Sequence, residues 1–456
     1  MRSTSSQVAT VKRYPAKASL IPELLEAARR LSGETPPDRN RVVDLMRVVS
    51  ILVVVFGHWL MAAVTIRDGE LVPGHLLELA SWTHPLTWLA QVMPVFFFVG
   101  GFSNARSWRS ARGRGEPYGS WLRARLRRLL TPVMPLLAVW TVGAWLALRL
   151  GLPWETLRLG SQVALVPTWF LAAYVVIVML APGFLAFWER VGWWSVAAGL
   201  ALAGITDAVA IAGGVGWVGF LNYLFVWGTV HQLGYAWVDG KIDGRSKRLL
   251  LAVTGLLVTL LLVWAGPYPV AMVGLDTAEV TNSYPPRVTL AFLGLFQAGL
   301  VLLAEPALDR WARRPLAWFF VVAISVQIMT VYLWHLTAMV VVIGLSMLAG
   351  GWGMGIEPLT GTWWATRPLW FLVVGVVTAG LVALMRRFER PPPETRPAPP
   401  WWRPVLAAVL ACGGLGLLAA IGIADGDGLN GIIVTLPFAG VVLGGVADLR
   451  RRPDRA

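Results

Sequence analysis

The sequence predicts an all-α polytopic transmembrane helix bundle of about twelve spans, a ten-span body plus two C-terminal spans. Three observations lead there. Of 456 residues, 56% are hydrophobic and only 14% are charged, and the mean hydropathy is +0.63. Apolar runs of eighteen or more residues recur along the whole chain, the length a helix needs to cross a bilayer. A β-barrel would show short alternating segments instead. Finally, Lys and Arg alternate between dense and sparse loops. With the N-terminus placed inside, 33 of the 39 fall on inside segments and 5 on outside loops or outer helix ends, with Arg47 inside a span. One missed helix would invert every later loop, so the bias supports both the even count and the orientation.

The elements follow in order. A basic segment, 1–41, leads into span 42–66. An outside loop reaches span 86–105, and the cation-rich stretch 106–128 separates it from span 129–150. Spans 165–187 and 193–213 flank Arg190, and span 217–237 precedes the cations of 241–248. Spans 249–266 and 288–304 follow; then Arg310, Arg313 and Arg314 precede span 318–348. Span 367–385 closes a membrane domain over 42–387. A Pro- and Arg-rich cytoplasmic linker, 388–403, leads to an extension over 404–456 with spans 404–424 and 431–447 and a basic tail. Residues 22–31 read as a short amphipathic surface helix. There is no visible internal repeat.

The net charge of +14 and the pI near 10.7 suggest nucleic acid only until the topology is drawn; the positive-inside bias then accounts for them. The single cysteine, Cys412, excludes an intrachain disulfide and any cysteine-built metal site. No metal is implied. No cleavable leader is evident, so the first span serves as the insertion signal. The expected location is the plasma membrane, with both termini cytoplasmic.

Ionisable residues within spans are costly and mark function or a buried pairing. The first span, RVVDLMRVVSILVVVFGHWL, holds Asp44, Arg47 and His58. Arg47 and His58 are eleven positions apart, about 16 Å along a helix and close to three turns, so they project from nearly one face. Asp44 can pair with Arg47 three residues on. The bland alternative is that Arg47 snorkels to the headgroups and His58 bonds a neighbouring helix. A second histidine weighs against it. Counted from their span starts, His58 and His335 lie at similar depth, and Asp207 falls in the same layer. Histidine suits proton transfer at neutral pH, and a carboxylate such as Asp207 can orient one ring. His75 and His84 read as loop residues, and His231 as a packing or interfacial one. Arg125 and Arg128, three apart beside the third span, belong to a topogenic loop, yet with Arg47 they can clamp phosphates from the cytoplasmic side.

At this point the residues resemble a family, the acyltransferase-3 family of integral membrane acyltransferases. Arg47 and His58 match its first-span signature. PVFFFVGGFSNA (94–105) is similar to its second-span motif, with Gly100 where serine is more usual. Arg125 and Arg128, PTWFL (167–171) and YLWHL (332–336) follow in the family's order. The matches cover 41 to about 387. The resemblance implies O-acylation, most often acetylation, of a hydroxyl acceptor at or beyond the outer leaflet: a glycan, a glycolipid or a small molecule. It implies acyl-CoA as the cytoplasmic donor substrate, with no bound cofactor. By residue, it implies that His58 is catalytic, that His335 supports it, and that Arg47, Arg125 and Arg128 bind the donor. The soluble hydrolase-like domain carried by some members is absent from 388–456. A transporter or flippase and a non-catalytic scaffold are the competing readings, and the missing repeat counts against the first.

Overall fold

The computed structural model describes residues 20–67, 70–274, 278–389 and 397–446. The amphipathic pattern read over 22–31 forms α1 (Leu20–Gly33). Asn40 then starts α2 (Arg41–Met61) by accepting the Val42 and Val43 N–H groups on its side-chain oxygen, and Asp44 in the first turn suits the helix dipole. The helix ends at Met61 rather than at 66, because the chain turns into a hairpin of β1 (Thr65–Arg67) and β2 (Glu70–Val72) in antiparallel register Thr65↔Val72. Two single turns, α3 (Leu76–Leu79) and α4 (Thr87–Ala90), finish this end of the molecule.

Next come α5 (Met93–Gly113), α6 (Tyr118–Leu130) and α7 (Val133–Arg149). The last two bend by 45° at their junction, where Pro132 has no N–H to continue the ladder. Helix α8 (Trp154–Val191) has 38 residues, about 57 Å at 1.5 Å each, so it outreaches a hydrocarbon core of about 30 Å. Then follow α9 (Trp193–Ile211), α10 (Asn222–Val238), α11 (Arg245–Ala265) and α12 (Val288–Ala312). After them come α13 (Pro315–Ser325), α14 (Ile328–Leu348), α15 (Gly361–Met385) and α16 (Trp402–Ile421). A two-residue hairpin, β3 (Ala424–Asp425) and β4 (Gly428–Leu429), leads to α17 (Gly431–Leu443).

Every predicted span therefore has a helix. By length and composition, nine helices among the described residues can cross a membrane, or ten with the bent α6–α7 pair. The expected count of about twelve is not reached, because α10 has 17 residues and α17 only 13. The span read over 318–348 is broken at 326–327. Its first part, α13, packs on α1: Trp318 donates to Thr35 Oγ1 at 2.7 Å, and the Arg39 and Arg41 guanidiniums lie over its ring. Residues 1–19, 390–396 and 447–456 of the predicted N-terminal segment, linker and basic tail lie outside the described residues.

The core sits where α5 meets α10. Phe97 stacks on Trp227 and Phe98 on Trp237, with centroids 4.7 and 5.1 Å apart. Two glycines make the approach possible. A Cβ on Gly101 would stand 1.9 Å from the His231 carbonyl oxygen, and one on Gly234 2.3 Å from that of Phe98. Backbones that close need small residues, the usual packing device of membrane helices. Conversely, α11 and α15 leave Leu257, Leu260, Leu261, Leu369 and Leu372 exposed, as lipid-facing surfaces do.

The last two helices are docked onto the body. Helix α16 runs along α8, where Thr168 Oγ1 donates to the Leu415 carbonyl at 3.1 Å and Gln162 Nε2 to that of Ala420 at 3.0 Å. Arg123 Nη1 reaches the Pro397 carbonyl at 3.0 Å, fastening the described part of the linker to α6.

At the cationic end, Arg109 binds Asp239 through two nitrogens, at 2.5 and 3.2 Å, and Glu189 at 2.9 Å, while Trp188 Nε1 donates to Asp239 at 2.8 Å. Burial alone would raise the Asp239 carboxyl, but the hydrogen bonds from Arg109 and Trp188 hold it below the usual carboxylate range. A depressed folded value means the stabilisation is complete above the unfolded pKa, about 3.9, and is lost as pH falls through the folded one. Asp239→Asn is therefore expected to lower the thermal midpoint of detergent-purified protein at pH 7. The gap to wild type should close as the scan buffer is acidified below about pH 4.

Candidate active site

Helix α2 carries the two sequence-predicted polar residues to different neighbours. Near its N-terminus, Arg47 donates to Ser103 Oγ on α5 at 2.6 Å and faces Asp44 at 3.7 Å. One turn further along α5, Ser107 accepts a short hydrogen bond from Arg125 of α6. Arg128 is exposed, and Arg47, Arg125 and Arg128 lie within electrostatic range of one another. Three mutually repelling guanidiniums, two of them aimed by serines, with the nearby Asp44 held more closely by Arg39 at 2.7 Å, make a site that favours an anion. Ser103 and Ser107 escaped the sequence reading. Their signal was the four-residue spacing on one helix face, which also fits a serine bonding back to its own helix, as Ser103 does to Val99.

Gly100, where serine is the more usual residue, has a visible reason. A Cβ there would meet Tyr174 Cε2 at 3.0 Å and its hydroxyl at 3.2 Å. The Tyr174 ring fills the space that a serine side chain would need.

About three turns from Arg47, His58 Nδ1 and His335 Nε2 are 2.9 Å apart, with the rings stacked at 5.2 Å. The pair forms although the expected depth was counted from a start at 318. His335 lies seven residues into α14, so it is the packing of α14 on α2 that brings the rings together. The tautomers follow from the partners. His335 Nδ1 is 2.6 Å from the Tyr332 carbonyl, which only accepts, so Nδ1 carries the proton. Nε2 of a neutral His335 must then accept, and His58 Nδ1 must donate. His58 Nε2 is left with a free lone pair.

The surrounding motifs lock this pair. Trp59 Nε1 donates to the His335 carbonyl at 3.3 Å, and Trp370 Nε1 to the Trp59 carbonyl at 2.9 Å. Tyr332 donates its hydroxyl to the Pro167 carbonyl at 2.9 Å, and Phe170 packs edge-on against it at 5.7 Å. The PTWFL and YLWHL segments, far apart in sequence, thus meet beside His58. The Glu389 carboxylate accepts from Met329 N at 3.1 Å, Thr330 N at 2.8 Å and the Thr330 hydroxyl. It satisfies the first turn of α14, where orphan donors and the dipole favour a negative charge.

His58 is half-buried and borders a cavity of about 260 Å³. The walls come from Val53, Val54, Leu60, Leu77, Val166 and Trp169, so they are mostly apolar, with Thr83, Gln91 and Ser283 as polar edges.

Asp207 is elsewhere. Its oxygens accept from Asn222 Nδ2 at 2.8 Å, Arg287 Nη1 at 3.2 Å, Tyr268 OH at 3.0 Å and Val288 N at 2.8 Å. Those bonds tie α9, α10 and the start of α12 together and give the histidines nothing; equal depth does not specify which side of the bundle a residue occupies. His231 is fully buried, with Asn104 Nδ2 at 3.1 Å from its Nε2, a packing residue as expected.

No curated protein and no solved structure matches the chain. A family model described as an acyltransferase domain matches residues 40–387, the stretch that carries the arginine cluster, the histidine pair and the motifs joining them. The chain is a multi-pass membrane protein of the acyltransferase-3 family, and hence an acyltransferase in general.

Proposed function

We propose that the protein moves an acyl group, acetyl by expectation, from cytoplasmic acyl-CoA to a hydroxyl of a cell-envelope carbohydrate, a lipid-linked sugar or a similar acceptor. In this reading it lies in the plasma membrane with both termini cytoplasmic. The carrying observation is the His58–His335 pair at an apolar cavity, with Arg47, one of three clustered arginines, about 16 Å away along the same helix.

The steps follow from those groups. The donor's phosphates bind Arg47, Arg125 and Arg128, and its extended thioester arm reaches toward His58. His58 Nε2 takes the acceptor hydroxyl's proton as the oxygen attacks the thioester carbonyl. The C–S bond breaks, an ester C–O bond remains, and the departing thiolate takes the proton back from the imidazolium. His335 holds the His58 tautomer and stabilises the transient cation through Nε2, as the third group of a catalytic triad orients its base. The apolar walls suit an acceptor with a hydrocarbon portion.

The test uses purified protein in vesicles with a labelled acyl-CoA, followed by mass spectrometry of envelope glycans and lipids for the added acyl mass. Arg125→Gln and Arg128→Gln should each raise the donor KM about tenfold or more, the size of a lost charge-assisted contact, with kcat little changed. An unchanged donor KM in both variants counts against the arginine assignment.

A further inference from the structure

Among the described residues, Arg367 on α15 is a cation with no carboxylate partner. Its guanidinium lies over Trp363 at 4.1 Å and Trp370 at 5.5 Å, and its buried Nε has no hydrogen-bond partner. No acidic side chain among the described residues pairs with it. An unmet buried donor of this kind can be satisfied by a ligand oxygen or by a water. The side chain borders a cleft of about 20 Å³ with Ala62, Val64 and Met354, room for one oxygen of a larger group seated at its mouth.

The position relates this cleft to the histidines. Ala62 N donates to the His58 carbonyl at 3.2 Å, so the cleft begins one helical turn, about 6 Å, beyond the histidine. The two spaces share a wall: Met61 and Trp364 border the histidine cavity, and their chain neighbours Ala62 and Trp363 border the cleft. Trp370, under the guanidinium, is also the residue that bonds the Trp59 carbonyl. An acceptor in the histidine cavity that reaches past this wall would present a hydroxyl at His58 and a charged group at Arg367.

We propose that Arg367, held between Trp363 and Trp370, is an oxyanion subsite for the acceptor, which carries a phosphate or carboxylate apart from the hydroxyl that is acylated. The fork of guanidinium donors matches such groups, and the aromatic faces hold the cation in place without neutralising it. This rests on the acyltransferase reading for the word acceptor, but its test does not need acyl transfer.

The full chain is placed in phosphatidylcholine nanodiscs and titrated with dodecyl phosphate and, as the uncharged probe, dodecyl maltoside. Binding is read by thermal shift, and shielding of His58 by its modification with diethyl pyrocarbonate, quantified by mass spectrometry. Dodecyl phosphate should bind wild type at least about tenfold more tightly than R367Q, while dodecyl maltoside binds both alike, and it should shield His58 in wild type alone. Equal dodecyl phosphate affinity in R367Q overturns the subsite. Binding that is lost in R367Q but never shields His58 assigns Arg367 to a bilayer headgroup and also overturns it. If R367Q does not accumulate, R367K carries the test, with a loss of about threefold or more expected because the fork is gone; unchanged affinity overturns the proposal. Absence of acyl transfer to any acceptor would sink the acyltransferase mechanism and leave this binding result readable.

Discussion

Replacing His58 with alanine is expected to lower kcat by about 10²- to 10⁴-fold, the usual contribution of a positioned general base, while protein levels in the membrane stay unchanged. The size of the effect follows from the tautomer chain. The Tyr332 carbonyl fixes the proton on His335 Nδ1, His335 Nε2 takes the hydrogen bond from His58 Nδ1, and the His58 lone pair is turned loose at Nε2. Substitution of His335 acts through that chain. His335→Ala frees the His58 ring to rotate or change tautomer, so kcat should fall less than in His58→Ala and its dependence on pH should shift. His335→Gln keeps an acceptor oxygen near His58 and should recover part of the rate. Initial rates with labelled donor across a pH series separate these outcomes. Full activity in His58→Ala would refute the assignment, and an unshifted profile in His335→Ala would remove the positioning role.

Gly101→Ala should be the most damaging small substitution in the body. Its added carbon would lie 1.9 Å from the His231 carbonyl oxygen, and backbone on both sides leaves no flexible side chain to yield. Helices α5 and α10 would have to separate, breaking the Phe97–Trp227 and Phe98–Trp237 stacks that centre the core. Overpacking of this kind costs about 1–3 kcal/mol where side chains can move and more where they cannot. The expected result is a thermal midpoint lowered by many degrees, or loss of the monodisperse peak in size-exclusion chromatography. Gly204→Ala is the control, since nothing lies within 4 Å of its added carbon. A variant at 101 as stable as that control would show that the two backbones do not pack this closely.

These two sites differ in how visible they are from the residues alone. His58 and His335 stand out because an ionisable group in an apolar run is rare and expensive, whatever the tertiary arrangement. Gly101 does not, since the protein has 47 glycines and only the distance to a neighbouring backbone tells a required one from an incidental one. In the sequence, Arg367 is only a cation at the start of an apolar span. What sets it apart is the lack of a carboxylate partner among the described residues and the two tryptophans around it, which are facts about neighbours. Asp207 is the converse: depth grouped it with the histidines, while Arg287, Tyr268 and Asn222 hold it elsewhere.

A helical membrane protein, the approximate course of each helix and the ordered motifs that mark the family are all legible in the residues alone. Apolar length and charge placement are local quantities, and a bilayer reads them one segment at a time. Which span ends are short or bent, that α13 packs on α1, and that α16 docks along α8 emerge from the folded packing. It alone decided that two histidines on helices 277 positions apart share a hydrogen bond. Those outcomes depend on lateral packing between helices, set by glycine contacts, aromatic stacks and buried polar bonds across large separations in the chain, and no single span contains that information.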